Sequence, residues 1–217
     1  MSEVNTRIKH EGLRNKVMSA DTAAEFIKDD MVVGISGFTG AGYPKALPTA
    51  IANKARNLHA KGESFGIRMI TGASTAPECD GVLADAGAIK FRNPFQSDPT
   101  LRNNINSGNT YYQDMHLSHV EQQIRQGFYG DMAVAIIEAT GITEDGKIIP
   151  AMGIGHCNEV LKAAKQVIIE INTKQHELLE TMHDIYLDIG TPPNRKPIPL
   201  VKPDDRCLLY TSDAADE

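Results

Sequence analysis

Residues 31–48, MVVGISGFTGAGYPKALP, decide the fold of this chain. The short apolar run over 31–35 predicts a buried strand, and the residues from Pro44 onward predict a helix with apolar positions at helical spacing. Between the two lie Gly34, Gly37, Gly40 and Gly42. A strand–glycine turn–helix unit of this kind presents backbone N–H groups at a helix start, where anions bind. A tight turn that binds nothing fits the same residues, and composition leaves both interpretations open.

A second unit of the same kind follows, with a strand predicted over 66–71, a small-residue turn over 72–75 and a helix over 77–86. The run 132–139 is apolar without alternation, which is typical of a strand covered on both faces, and 167–171 predicts another buried strand. Upstream, 11–29 is predicted to be helical, with Ser19 as an N-cap. Together these segments predict an α/β fold over residues 1–189. A largely parallel sheet would carry helices on both faces, with the turns at the strand C-termini forming one crevice.

Composition limits the class of function. The 217 residues carry a net charge of -6 and lack a Lys/Arg cluster interleaved with aromatics, so we expect no nucleic-acid partner. The longest apolar runs are much shorter than a membrane-spanning helix, and the first residues lack the apolar segment of a secretory signal, so we expect no membrane partner. Three cysteines without paired spacing suggest a reducing compartment. The expected location is cytoplasmic.

Common catalytic motifs are absent around the glycine turn. Ser36 lacks the second glycine that the hydrolase elbow Gly-x-Ser-x-Gly requires at its place. Residues 37–42 do not match Gly-x-Gly-x-x-Gly, and no Gly-Lys-Ser/Thr follows. The stretch is therefore neither a dinucleotide fingerprint nor a phosphate-binding P-loop.

Three other places could carry chemistry. His116 and His119 lie close to Asp114, so the segment fits either a metal site or a helix start capped by Ser118, with hydrogen-bonded histidines. Cys157 directly follows His156 and could form a thiolate pair with it, although adjacent residues in a sequence rarely face each other. Glu138 ends an apolar strand and fits either an acid–base role or a hydrogen-bonded structural carboxylate.

Several uncommon strings, in one order along residues 10–206, make the chain similar to the N-terminal half of the acetyl-CoA hydrolase/transferase family, which includes succinyl-CoA:acetate CoA-transferases. The strings are GISGFTGAG (34–42), TGAS (71–74), PFQSDP (94–99) with LR (101–102), DMHLSH (114–119), IEA (137–139), ITEDG (142–146) and ETMHDIY (180–186). The resemblance implies a class I CoA-transferase fold, of which this chain would be the N-terminal α/β domain. Its activity would be acyl-CoA:carboxylate CoA transfer or acetyl-CoA hydrolysis through a glutamyl-CoA thioester.

The resemblance also implies ligands and site residues. Coenzyme A would be a substrate, and no cofactor would stay permanently bound. The small-molecule partners would be acyl-CoA and small carboxylates (acetate, succinate or propionate). The full-length protein would be a homodimer. The residues that would bind substrate lie in the two glycine-containing turns: Ser36, Gly37, Phe38, Thr39, Gly40, Gly42, Gly72 and Ser74. No residue here matches the family's nucleophilic glutamate, which is expected in the C-terminal half, so we assign no catalytic residue.

The end of the chain carries further expectations. Residues 190–206 are rich in proline and predict an extended linker to a C-terminal domain. Residues 207–217 resemble translated adapter sequence rather than the family, with a native acidic tail as the alternative. The chain alone is therefore expected to be an inactive fragment. The alternative is a non-catalytic α/β module that binds a small anion with residues 34–42.

Overall fold

A sheet of seven strands runs through the computed structural model, which describes residues 3–183 and 193–197. Its strands are β1 (Val32–Ile35), β2 (Ile67–Thr71), β3 (Ile89–Asn93), β4 (Tyr111–Tyr112), β5 (Met132–Ile142), β6 (Ile148–Pro150) and β7 (Gln166–Ile171). The order is β4-β3-β2-β1-β5-β6, and β7 also pairs with β5. Every pairing is parallel except β5 with β6. The predicted, largely parallel sheet is confirmed.

Short helices connect the strands. They are α1 (Glu3–Arg7), α2 (Glu11–Arg14), α3 (Ala20–Ala24), α4 (Ala46–Ala60), α5 (Val82–Asp85), α6 (Pro99–Asn106), α7 (Leu117–Arg125) and α8 (Cys157–Ala163), with a π-helical turn at Pro77–Gly81 and a 3-10 turn at Glu177–Thr181. In the described ranges 3–183 and 193–197, no helix is long and apolar enough to cross a membrane.

Helices cover both faces of the sheet, as predicted. Along β5, Val134 and Ile136 belong to a core shared with α3, α4 and α5, while Ala135 and Ile137 belong to a second core shared with α7 and α8. Alternate side chains of a strand point to opposite faces. An apolar run without alternation therefore fills both cores at once, which is why 132–139 forms the central strand.

One local prediction is confirmed and one short strand was missed. The N-cap predicted at Ser19 is confirmed, and residues 11–29 hold two short helices. α2 ends at Arg14, and α3 starts where the Ser19 hydroxyl accepts the Thr22 amide at 3.1 Å. β4 was not predicted, since two tyrosines without apolar neighbours give no strand pattern. Of the predicted linker at 190–206, only 193–197 lie within the described residues, and 207–217 lie outside them.

Candidate functional site

Two loops meet at the carboxyl ends of β1 and β2. The loop 36–45 follows β1 and the loop 72–76 follows β2, and the amide of Thr39 donates to the carbonyl of Ser74 at 2.9 Å. Because β1 and β2 are parallel neighbours, both loops emerge at the same edge of the sheet. The two glycine-containing turns were predicted to form one crevice, and the structure places their loops in contact at this edge.

A third loop, 151–156, closes against the first two through glycines. A Cβ built on Gly42 would lie 2.2 Å from the carbonyl oxygen of Gly153, and Gly42 has a φ of +67°. A Cβ on Gly72 would lie 2.5 Å from the Cα of Gly155 and 2.5 Å from the carbonyl oxygen of Gly37. The backbones approach so closely that any side chain would separate them. At these positions glycine serves the packing of three loops.

Ser36 is fully engaged inside the protein. Its hydroxyl donates to the carbonyl of Gly42 at 2.7 Å and accepts the amide of Glu138 at 2.8 Å. The residue is only 1% exposed. In this structure the hydroxyl closes the first loop and ties β1 to β5.

The helix start that follows the first loop already holds an anion, which is a side chain of the protein. The carboxylate of Glu170, on β7, accepts the amides of Lys45, Ala46 and Leu47 at 2.7, 3.1 and 2.9 Å. A carboxylate at a helix N-terminus satisfies donors that have no partner within the helix and complements the helix dipole. Of the two interpretations left open for the glycine turn, these contacts fit the one in which the α4 amides do not hold an external anion.

Glu138 is an ion-paired, buried carboxylate. Its side chain is 1% exposed, and its Oε1 accepts from the Lys45 ammonium at 2.9 Å and from the Asn172 amide. Its Oε2 has no hydrogen-bond partner among the described residues. Of the two interpretations of Glu138, these contacts fit the structural carboxylate.

A buried ion pair fixes the second loop. Arg92 and Asp80 are both fully buried, and the guanidinium donates to both carboxylate oxygens at 2.9 and 3.0 Å. Arg92 also donates to the carbonyl of Ala73, and Asp80 accepts the amide of Thr75. Sequence reasoning missed this pair because nothing near either residue indicates a partner twelve positions away.

A cleft of about 440 Å³ opens beside these loops. It is lined by Phe38, Gly72, Leu117, Ser118, Glu121, Gly155, His156 and Arg195. Its volume falls within the range of about 300–1,000 Å³ typical of small-molecule sites.

The eight residues predicted to bind substrate lie in different places. Phe38 and Gly72 line the cleft, while Thr39 and Gly40 are exposed at the tip of the first loop. The rest are buried: Ser36, Gly37, Gly42 and Ser74. A substrate contact by any of the eight stays a prediction.

The second wall of the cleft carries a histidine–carboxylate pair. Nδ1 of His156 lies 3.4 Å from Oε1 of Glu121, and this hydrogen bond is the main reason that the pKa of Glu121 is lowered from its ordinary value. Arg125 and Arg195 lower the same pKa through their charges. Nε2 of His156 is buried and has no hydrogen-bond partner in the described part of the chain. Sequence reasoning had singled out neither Glu121 nor Arg195, and His156 only as the neighbour of Cys157.

The cleft also receives the start of α7. This helix begins at Leu117, one residue before the predicted cap Ser118, and its N-cap residue is His116, whose side chain caps no amide. No hydrogen bond from the amides of Leu117 and Ser118 is seen within 3–183 and 193–197. Unlike those of α4, the first amides of α7 have no acceptor among the described residues.

Two other candidates from the sequence do not form reactive groups. The rings of His116 and His119 lie edge to face at 5.7 Å, and the described residues hold no cluster of three potential metal ligands. Burial raises the pKa of the Cys157 thiol to about 12, and the thiol donates to the carbonyl of Ile154. The His156–Cys157 sequence is therefore not a thiolate pair.

The largely parallel sheet with helices on both faces, and with a cleft beside loops that follow neighbouring strands, defines an α/β domain. Solved structures share this fold. The crystal structure of RipA from Yersinia pestis aligns with a TM-score of 0.57 at 15% identity, over 73% of this chain and 37% of that one. The acyl-CoA transferase YdiF from Escherichia coli O157:H7 aligns with a TM-score of 0.53 at 12% identity, over 74% of this chain and 44% of that one.

The model of the acetyl-CoA hydrolase/transferase N-terminal domain matches residues 1–206, and the chain belongs to this family. It is 44% identical over 200 residues to the succinyl-CoA:acetate CoA-transferase of Clostridium kluyveri, covering 92% of this chain and 36% of that protein. It is 42% identical to the propanoyl-CoA:succinate CoA transferase of Escherichia coli, over 87% of this chain and 38% of that protein. An acetyl-CoA hydrolase of Schizosaccharomyces pombe is 34% identical over 94% of this chain and 40% of its own length. The chain thus spans two fifths or less of these relatives.

Proposed function

We propose that this chain forms the N-terminal half of an acyl-CoA:carboxylate CoA-transferase or acetyl-CoA hydrolase. The observation that carries the proposal is the family match over residues 1–206, to which the cleft beside the loops 36–45 and 72–76 adds a place for substrate. The proposed substrates are an acyl-CoA and a small carboxylate such as acetate, succinate or propionate. A homodimeric, cytoplasmic enzyme without a permanently bound cofactor is part of the same proposal.

The proposed chemistry is covalent catalysis by a glutamate that lies outside this chain. Its carboxylate attacks the acyl-CoA carbonyl and expels CoA thiolate, which forms an acyl-glutamyl anhydride. The thiolate then attacks the glutamyl carbonyl, which releases the first carboxylate and leaves a glutamyl-CoA thioester. A second carboxylate reverses these two steps and leaves as a new acyl-CoA, whereas water in its place gives hydrolysis.

The contribution of this chain is to shape one wall of the site. The loops 36–45, 72–76 and 151–156 are fixed by close glycine packing, by Ser36 and by the Arg92–Asp80 pair. Rigid loops around a cleft hold a substrate in one orientation, which is how a wall without a nucleophile still contributes to the rate. In this proposal residues 190–206 link the domain to the half that carries the glutamate.

A chimera tests this function. Residues 1–206 of this chain would replace the matching segment of the Clostridium kluyveri transferase, and CoA transfer from succinyl-CoA to acetate would be assayed. We expect turnover from the chimera, and loss of that turnover when borohydride is added in the presence of acyl-CoA, because hydride reduces the glutamyl thioester. The 217-residue chain alone should give no transfer or hydrolysis. Turnover by the chain alone, or a folded but inactive chimera, would contradict the proposal.

The alternative function, an anion-binding module using residues 34–42, has lost its main support. The α4 amides that would hold the anion are bonded to Glu170. An anion site at these α4 amides is therefore not part of the proposal.

A further inference from the structure

The cleft contains a set of donors that have no acceptor in the described part of the chain. The first two amides of α7, at Leu117 and Ser118, lie at its lining, and the exposed Ser118 hydroxyl lies beside them. α7 is nine residues long, so its N-terminus carries the positive end of a developed helix dipole. Free amides at such an end favour an oxyanion.

Two side chains from other parts of the chain lie at the same place. His156 lines the cleft with a side chain that is 9% exposed, and its buried Nε2 has no partner among residues 3–183 and 193–197. A buried polar nitrogen without a partner is costly, and in the imidazolium form, in which both ring nitrogens carry protons, a ligand oxygen that reaches Nε2 gains this hydrogen bond. The guanidinium of Arg195 adds a positive charge at the cleft.

One negative group opposes an anion here. Glu121 lines the cleft, and its lowered pKa keeps it ionised at neutral pH. Its charge is offset by the contact with His156 and by the nearby Arg125 and Arg195, which are the groups that lower that pKa. The hydrogen bond between Glu121 and Nδ1 also holds the imidazole in place.

We propose that the α7 N-terminus, His156 and Arg195 form an oxyanion subsite in the cleft, which binds a carboxylate or phosphate group of the substrate. This inference rests on the proposed function for the nature of the substrate, because acyl-CoA and its acceptor acids carry both kinds of group. If the subsite takes a carboxylate group, we expect succinate and acetate to bind. If it takes a phosphate group, we expect inorganic phosphate to bind and the two acids not to bind.

Matched variants of the 217-residue chain test the subsite. Leu117→Pro removes one amide donor, and proline suits a first helical position that follows the extended residue His116, with φ -61° and ψ 131°. Leu117→Ala removes a similar side chain but keeps the amide. Arg195→Gln removes a positive charge at the cleft. Lys165→Gln is the control, because it removes a positive charge at the start of β5, where the Lys165 amide donates to the carbonyl of Met132.

Isothermal titration with succinate, acetate and inorganic phosphate gives the readout. We expect Leu117→Pro to weaken binding of the preferred anion several-fold more than Leu117→Ala does. Arg195→Gln and His156→Gln should each weaken it by about tenfold, the effect of losing one charge-assisted hydrogen bond. Lys165→Gln should leave the dissociation constant within about twofold.

The result that overturns the subsite is clear in each case. If none of the three anions binds the folded wild-type chain, or if Leu117→Pro and Arg195→Gln bind as their controls do, the subsite is absent. Circular dichroism shows whether each variant has folded. An active chimera together with unaffected anion binding in the variants removes the subsite and leaves the proposed function standing. An inactive chimera together with the expected binding losses removes the function and leaves the subsite.

Discussion

The N-termini of α4 and α7 differ in what satisfies their first amides. At α4, which follows the glycine-rich loop, the carboxylate of Glu170 accepts three amides from a strand more than a hundred residues away. At α7, the N-cap side chain of His116 caps no amide, no other described side chain does so, and Leu117 and Ser118 line the cleft. The loop richest in glycine is therefore closed by the protein itself, and the less conspicuous helix start is the one that remains available to a ligand.

The largest effect in this comparison should come from the glycine that closes the first loop. Gly42→Ala places a Cβ against the carbonyl of Gly153, so we expect it to lower the free energy of unfolding by about 3 kcal/mol or more. Gly40→Ala is the matched control, because Gly40 also has positive φ but nothing lies within 4 Å of its Cβ position. It should lower the same quantity by about 1 kcal/mol. Urea denaturation measures both, and equal losses would show that the loops are not packed as described.

The sequence predicted the strands and turns of the fold better than the residues that line the cleft. The unbroken apolar run 132–139 is typical of a central strand covered on both faces, and glycines after two apolar runs favour turns. The carboxylate of Glu170 stands within an apolar strand, where nothing local shows that it caps a helix encoded far upstream. His156 and Arg195 reach the cleft from separate segments, and neither belongs to a motif. Long-range pairing of single polar residues leaves no periodic signal in a sequence.

Removing the internal anion from α4 should have the next largest effect. Glu170→Ala leaves three amides without their acceptor, so we expect it to lower the free energy of unfolding by about 2 kcal/mol. Glu63→Ala, an exposed glutamate, should change it by less than about 0.5 kcal/mol. Phosphate should stabilise the Glu170→Ala variant more than it stabilises wild type, because α4 then offers open amides. A Glu170→Ala variant as stable as wild type would mean that the cap contributes nothing.

The smallest effect should be the pH-dependent contribution of Glu121, which lines the cleft, to the stability of the folded state. The pKa of Glu121 is lowered by its hydrogen bond to His156, so its ionised form stabilises the folded state. The stability difference between wild type and Glu121→Gln should be present above the ordinary value of 4.5 and be lost as the pH falls through the lower, folded pKa. Melting temperatures of both proteins between about pH 3 and pH 7 measure it. A difference that grows as the pH falls over that lower range would contradict the assigned sign.

The most direct test is to see which helix start responds to an anion. Backbone amide signals of the isotope-labelled 217-residue chain would be followed by nuclear magnetic resonance while succinate, acetate or inorganic phosphate is added. We expect saturable shifts of the amide signals of Leu117 and Ser118, while the amide signals of Lys45, Ala46 and Leu47 stay in place. Shifts at the α4 amides with none at α7 would contradict it.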